Sequence, residues 1–168
     1  MQKVVNIVKN IPQTGFTFID FGSGLGEILK WVYQLKNVKN VVGVELNSNQ
    51  AEQSKEIFKS ITNVEILNMD MTEYKFKPTP TILFMFEPLW GISDLTQALS
   101  IYKKVLSNLT SIYEDDTTTP LYVIYISGHK QLIPVDFFKS FELLHKTTAP
   151  RFLGIYSNNI HFLKYRPI

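Results

Sequence analysis

Asp20, Glu45, Asp70 and Glu87 each stand at or just past the end of an apolar run rich in β-formers. An acid in such a place is costly to bury without a partner, so each calls for one. The first run, Phe16 to Phe21, leads directly into Gly22-Ser23-Gly24-Leu25-Gly26. Glycine at alternate positions lets a backbone turn tightly and lets a ligand approach it closely. The next residues, EILKWVYQL (27–35), place Ile28, Leu29, Val32 and Leu35 at helical spacing. The pattern predicts strand, glycine turn and helix, with free N–H groups and a partial positive charge at the helix start beside the ligand.

Two ligand classes suit a glycine turn after a first strand. A dinucleotide is held by G-x-G-x-x-G with its diphosphate on the helix N-terminus. Here the third glycine comes one residue early, and Asp20 stands just before the turn. A carboxylate is awkward beside a diphosphate. It suits S-adenosylmethionine (SAM), which carries an ammonium, a sulfonium and no phosphate. Glu45, at the end of the run NVVGVEL (40–46), is placed to accept from both hydroxyls of a ribose. Nicotinamide dinucleotides use the same device, so Glu45 speaks for a nucleoside without choosing between the classes. Asp70 is placed to accept from an adenine amino group, and Met71 to pack on the adenine face.

Positioning these residues takes an alternation of strands and helices. Helices are expected over Gln2–Asn10, Ser48–Ile61 (capped by Asn47 or Ser48) and Ser93–Tyr113, with a short one over Val135–Ser140. Buried strands are expected over Phe16–Phe21, Asn40–Leu46, Val64–Leu67, Pro80–Phe86 and Leu121–Ile126. This order implies parallel βαβ units and an open α/β sheet covered on both faces, Rossmann-like in class. Two late β-like stretches, Phe141–His145 and Ile160–Tyr165, have little helical sequence between them, which predicts an antiparallel hairpin at one sheet edge. No internal repeat or domain boundary interrupts the 168 residues, so one domain is expected. In such a sheet ligands bind outside the carboxyl ends of the strands, where the strand order reverses.

The ordered series D-F-G-S-G-L-G, V-G-V-E-L, N-M-D-M and F-M-F-E-P-L-W, over Phe16 to Trp90, resembles that of class I SAM-dependent methyltransferases. It looks most like their small lysine-type members. The resemblance implies that Asp20, Gly22, Ser23, Gly24 and Gly26 line the methionine part of S-adenosyl-L-methionine. It places Glu45 and Leu46 at the ribose and Asp70 and Met71 at the adenine. It puts Glu87-Pro88-Leu89-Trp90 where amino-methylating relatives carry Asp/Asn/Ser-Pro-Pro-aromatic. This chain departs from that pattern by opening with Glu and replacing the second proline with Leu89. A carboxylate only accepts, so Glu87 suits an amine that arrives as an ammonium better than a nucleobase NH₂. Trp90 would offer that amine a cation–π face. The expected activity is methyl transfer to an amine nitrogen, with a protein lysine as the leading acceptor. A small metabolite or RNA is the alternative, or a non-catalytic partner that keeps the fold.

Composition narrows the rest. A net charge of +2 with no basic–aromatic stripe gives no case for nucleic acid as partner, so a protein acceptor is expected. With no cysteine, disulfides and thiolate chemistry are excluded. Three scattered histidines make a metal site unexpected. His129 reads as a loop residue after the fifth strand, and His145 and His161 as structural. No apolar run reaches the ~18 residues of a membrane span, and the first residues lack a signal-peptide core, so a cytoplasmic, soluble protein is expected.

Overall fold

A computed structural model describes residues 1–86, 89, 94–113, 118–127, 140–152 and 156–166. The chain opens with helix α1 (Gln2–Lys9), followed by strand β1 (Phe16–Phe21) and the short helix α2 (Leu29–Val32). Strand β2 (Val38–Glu45), helix α3 (Ser48–Phe58) and strand β3 (Val64–Asn68) come next. A 3₁₀ turn (Met71–Glu73) leads to β4 (Thr81–Phe86), helix α4 (Leu95–Tyr113) and β5 (Leu121–Ser127). Strands β6 (Phe141–Phe152) and β7 (Tyr156–Tyr165) close the described chain. The short helix expected over Val135–Ser140 falls on residues outside the described set, except Ser140, which lies in a turn.

The strands form one sheet in the order β3-β2-β1-β4-β5-β7-β6. The pairs from β3 through β5 are parallel. The pairs β5–β7 and β6–β7 are antiparallel, so the expected edge hairpin is present, with β7 inside and β6 outermost. It is longer than its apolar pattern suggests, because pairing between the arms continues through polar residues to Phe152 and Tyr156.

Alternation along each strand divides the core between the two faces. Phe16, Phe18, Val41, Ile82, Phe84 and Ile124 pack with α1, α2 and α3 on one face. Ile19, Phe21, Val44, Leu83, Val123 and Leu163 pack with α4 on the other. Tyr102 and Tyr113 of α4 are fully buried. The Tyr113 hydroxyl lies 2.7 Å from the carbonyl of Thr79, which ties the end of α4 to the start of β4. On the other face, Asn37 donates its side-chain amide to the carbonyl of Val8 over 2.6 Å, fixing the end of α1.

The first loop departs from expectation. The helix expected over 27–35 is regular only over Leu29–Val32. Its apolar face is real, since Ile28, Leu29 and Val32 are buried. Its flanks tighten into three-residue bonds, Trp31 N–H to Ile28 O and Leu35 N–H to Val32 O. Gly22, Gly24 and Gly26, all at positive φ, take up the residues before it. A helix of four residues supplies little dipole, so the charge expected at its start is not what defines the site.

Candidate functional site

The site is built where the strand order reverses. β1 has β2 on one side and β4 on the other, and the carboxyl ends of all three point the same way. Asp20 is the penultimate residue of β1 and shares its face with Phe16 and Phe18, toward α2 and α3. Its strand partners are Gly43 on β2 and Phe84 on β4. Glu45, two residues beyond Gly43, rises from the same face at the end of β2. The two acids are 4% and 8% exposed.

Glu45 is held from two directions. Its Oε2 accepts from the Gly24 amide over 2.8 Å, and its Oε1 accepts from the Asn47 amide over 2.7 Å. Each oxygen keeps a second acceptor position. Asn68 braces the same strand end, donating its side-chain amide to the carbonyls of Glu45 and Leu46. Asp20 has no such support: no hydrogen bond reaches its carboxylate among the described residues. Burial, with the Glu45 carboxylate adding to it, pushes its pKa from 3.8 up to about 8. A buried acid in this condition is matched by a cationic ligand group.

The glycine turn is closed on itself rather than opened toward an anion. The amides of Gly22 and Ser23 both donate to the carbonyl of Val44, and that of Gly26 donates to Ser23. With Gly24 bound to Glu45, four amides of the turn are consumed inside the fold. A diphosphate cradle needs such amides free. Three of these amides pin the turn to β2, and that of Gly26 closes the turn on itself.

The three glycines have different reasons. At Gly24 (φ +54) a Cβ would meet nothing within 4 Å, so the turn faces open space there. At Gly26 (φ +79) a Cβ would come within 2.5 Å of the Phe58 ring, so that glycine lets α3 pack against the turn. Gly22 (φ +77) reverses the chain at the end of β1. The Ser23 hydroxyl is buried and has no partner among the described residues.

Of the remaining candidates, Leu46 is 71% exposed beside Glu45. Asp70 is exposed, and its carboxylate accepts from the Thr72 amide over 2.7 Å, capping the 3₁₀ turn. Met71 is buried in the same apolar cluster as Phe21 and Phe76. Glu87 and Trp90 lie outside the described residues, as does His129. Leu89, between Glu87 and Trp90 in sequence, is buried against the α4 face.

Two contributors escaped sequence reasoning. Gly43 gives Ser23, Leu29 and Ile66 room to meet over β2, since a Cβ there would stand 2.9 Å from each of them. A glycine within an apolar strand run is a known mark of close approach, so that signal was present. Asn68 opens the N-M-D-M motif, but nothing local marks it as the brace of β2. Among the described residues no group of His, Asp and Glu could hold a metal ion. No helix among them is long and apolar enough to cross a membrane.

Comparison with known proteins agrees with this geometry. The profile of a methyltransferase domain family matches residues 19–110, more than half of the chain. No curated protein sequence matches it. Among solved structures, the N-methyltransferase NodS from Bradyrhizobium japonicum WM9 is similar with a TM-score of 0.73 at 7% identity, covering 98% of this chain and 93% of that one. A SAM-dependent methyltransferase from Aquifex aeolicus is similar at 0.67 and 15%, covering 96% and 88%. A SAM-dependent methyltransferase from Leishmania major is similar at 0.65 and 12%, covering 96% and 70%. At these identities the likeness shows the fold.

Proposed function

We propose that this chain, which belongs to the methyltransferase domain family and takes S-adenosyl-L-methionine as its methyl donor, methylates an amine nitrogen, with a protein lysine as acceptor. The observation that carries the donor site is the buried, unpartnered Asp20 beside a glycine turn that offers no diphosphate cradle. In this reading the Asp20 carboxylate meets the ammonium of the methionine part, directly or through water. The free acceptor positions of Glu45 take the ribose hydroxyls, with Leu46 alongside. Gly22, Ser23, Gly24 and Gly26 shape the wall of the site, where the open side of Gly24 leaves room for the ligand. Asp70 and Met71 flank the adenine, Asp70 through the exposed side of its capping carboxylate.

The donor supplies an electrophilic methyl group on a sulfonium. The chain's part is to hold the amine nitrogen in line with that sulfonium, so that an N–C bond would form as the S–C bond breaks and a neutral thioether would leave. Alignment of the two carries much of such a displacement. The amine arrives as an ammonium and must first lose a proton. Glu87, next in the chain after the last residue of β4, takes that proton or passes it to water. Trp90 offers the amine a cation–π face. The acidic first position and the loss of the second proline support an amine over a nucleobase acceptor.

The test is transfer of radiolabelled methyl from SAM into fractionated protein, RNA and small molecules. Label in protein, released as methylated lysine on hydrolysis, is the expected result. Label confined to RNA or to small molecules would replace the acceptor and leave the methyl-transfer reading intact. Glu87→Gln is expected to lower turnover at least about tenfold while S-adenosylhomocysteine affinity is kept.

A further inference from the structure

Asp70 is exposed, and among the described residues its carboxylate has one tether, the Thr72 amide at 2.7 Å. A carboxylate held at one point turns about it, so its aim depends on where Thr72 stands. Thr72 is in turn held by α4. Asn108 donates its side-chain amide to the Thr72 carbonyl over 3.1 Å, in a half-buried contact. Lys104, one helical turn earlier on the same stripe of α4, brings Nζ to 3.4 Å from the Thr72 hydroxyl. Met71 is buried in the apolar cluster that includes Tyr102, Val105, Leu106 and Leu109 of α4.

These contacts do different things. Apolar burial has no direction, so Met71 sets how close the 3₁₀ turn lies to α4 and not how it is rotated. Rotation is set by hydrogen bonds. The Lys104 contact is exposed, long and made by a flexible side chain, so it constrains little. The Asn108 contact is shorter and reaches the backbone itself. Thr72 is thus held at its carbonyl by Asn108 while its amide holds Asp70.

We propose that Asn108 is a positioning residue for the nucleobase of the methyl donor. By fixing Thr72 it aims the second oxygen of Asp70 at the adenine 6-amino group, and so gives the site its preference for adenine. This role rests on the placement of Asp70 at the adenine under the proposed function. A hydrogen bond weakens steeply as its angle opens, so a carboxylate that is present but free to rotate selects poorly. Loss of Asn108 leaves the carboxylate and its cap in the chain and removes what holds them at one rotation.

The probes are S-adenosylhomocysteine and its analogue with purine in place of adenine, which lacks only the 6-amino group. Titration calorimetry of the full chain is expected to show the parent preferring S-adenosylhomocysteine by at least about tenfold, as a charge-assisted hydrogen bond implies. Asp70→Ala, with no acceptor left, should bind the two alike. Asn108→Leu should reduce the preference to about threefold or less while binding the purine analogue as the parent does, which also shows that it is folded. Asn108→Ala, the mildest change in a helix, removes the same donor and should read the same. A merely structural role would weaken both ligands together and leave their ratio as in the parent. Equal binding of the two by the parent, or a preference kept by Asp70→Ala, removes Asp70 from the adenine and overturns the role of Asn108 with it. A preference lost in Asp70→Ala and kept in either folded Asn108 variant overturns the role of Asn108 alone.

Discussion

The Gly24 amide donates to Glu45 over 2.8 Å, so the glycine turn after β1 is fastened to the end of β2 before any ligand arrives. Glu45 thus has work inside the fold as well as free acceptor positions. Glu45→Ala strands the amides of Gly24 and Asn47, and the expected loss of stability is about 1–3 kcal/mol. Chemical denaturation measures it. In Glu45→Gln the neutral side chain can accept from only one of the two amides. S-adenosylhomocysteine should then bind roughly tenfold or more weakly. An analogue lacking both ribose hydroxyls should also weaken in this variant, by the share of the effect that belongs to the turn.

Asp20 couples ligand binding to pH. Its folded pKa of about 8 lies above the 3.8 it takes when solvated. The sign follows directly. The folded state is favoured while Asp20 is protonated, and that stability is lost as pH rises from about 4 through about 8. The free protein should therefore melt at lower temperature as pH climbs through this window, and Asp20→Asn should remove that part of the slope. A cationic ligand favours the carboxylate, so S-adenosylhomocysteine, through its ammonium, should bind more tightly as pH rises toward 8 and release a proton as it binds. Calorimetry in buffers of different ionisation enthalpy reads that proton. Equal heats in all buffers near neutral pH would remove Asp20 from the ammonium site.

The glycines rank by what surrounds them. In Gly26→Ala the new methyl meets the Phe58 ring at 2.5 Å with φ at +79, so overpacking adds to backbone strain. A cost of about 2–4 kcal/mol is expected. Gly24→Ala meets open space and has only its positive φ to overcome, about 1 kcal/mol. Thermal melts should order the parent above Gly24→Ala and Gly24→Ala above Gly26→Ala. For S-adenosylhomocysteine binding the order should not follow stability, because the Gly24 methyl enters the space assigned to the ligand.

Asn37 holds the end of α1. Asn37→Ala removes the donor to Val8 O from a buried site, and a loss of about 1–2 kcal/mol is expected. Amide exchange in α1 should rise more than in β1. S-adenosylhomocysteine should bind this variant as it binds the parent.

Sequence alone determined the parts that rest on local pattern. The apolar runs of β1, β2, β4 and β5 and the helical spacing of α4 give a sheet of βαβ units, and Asp20 and Glu45 at run ends mark its ligand edge. Pairing partners and side-chain contacts belong to distant parts of the chain, and only the tertiary structure decided them. No local signal says that Gly24 will spend its amide on Glu45, that Gly26 exists for Phe58, or that the helix after the turn keeps four residues. Three of the turn's amides are satisfied by β2, 21 residues on at Glu45, and this long-range pairing is what closes the loop beside an unpartnered acid.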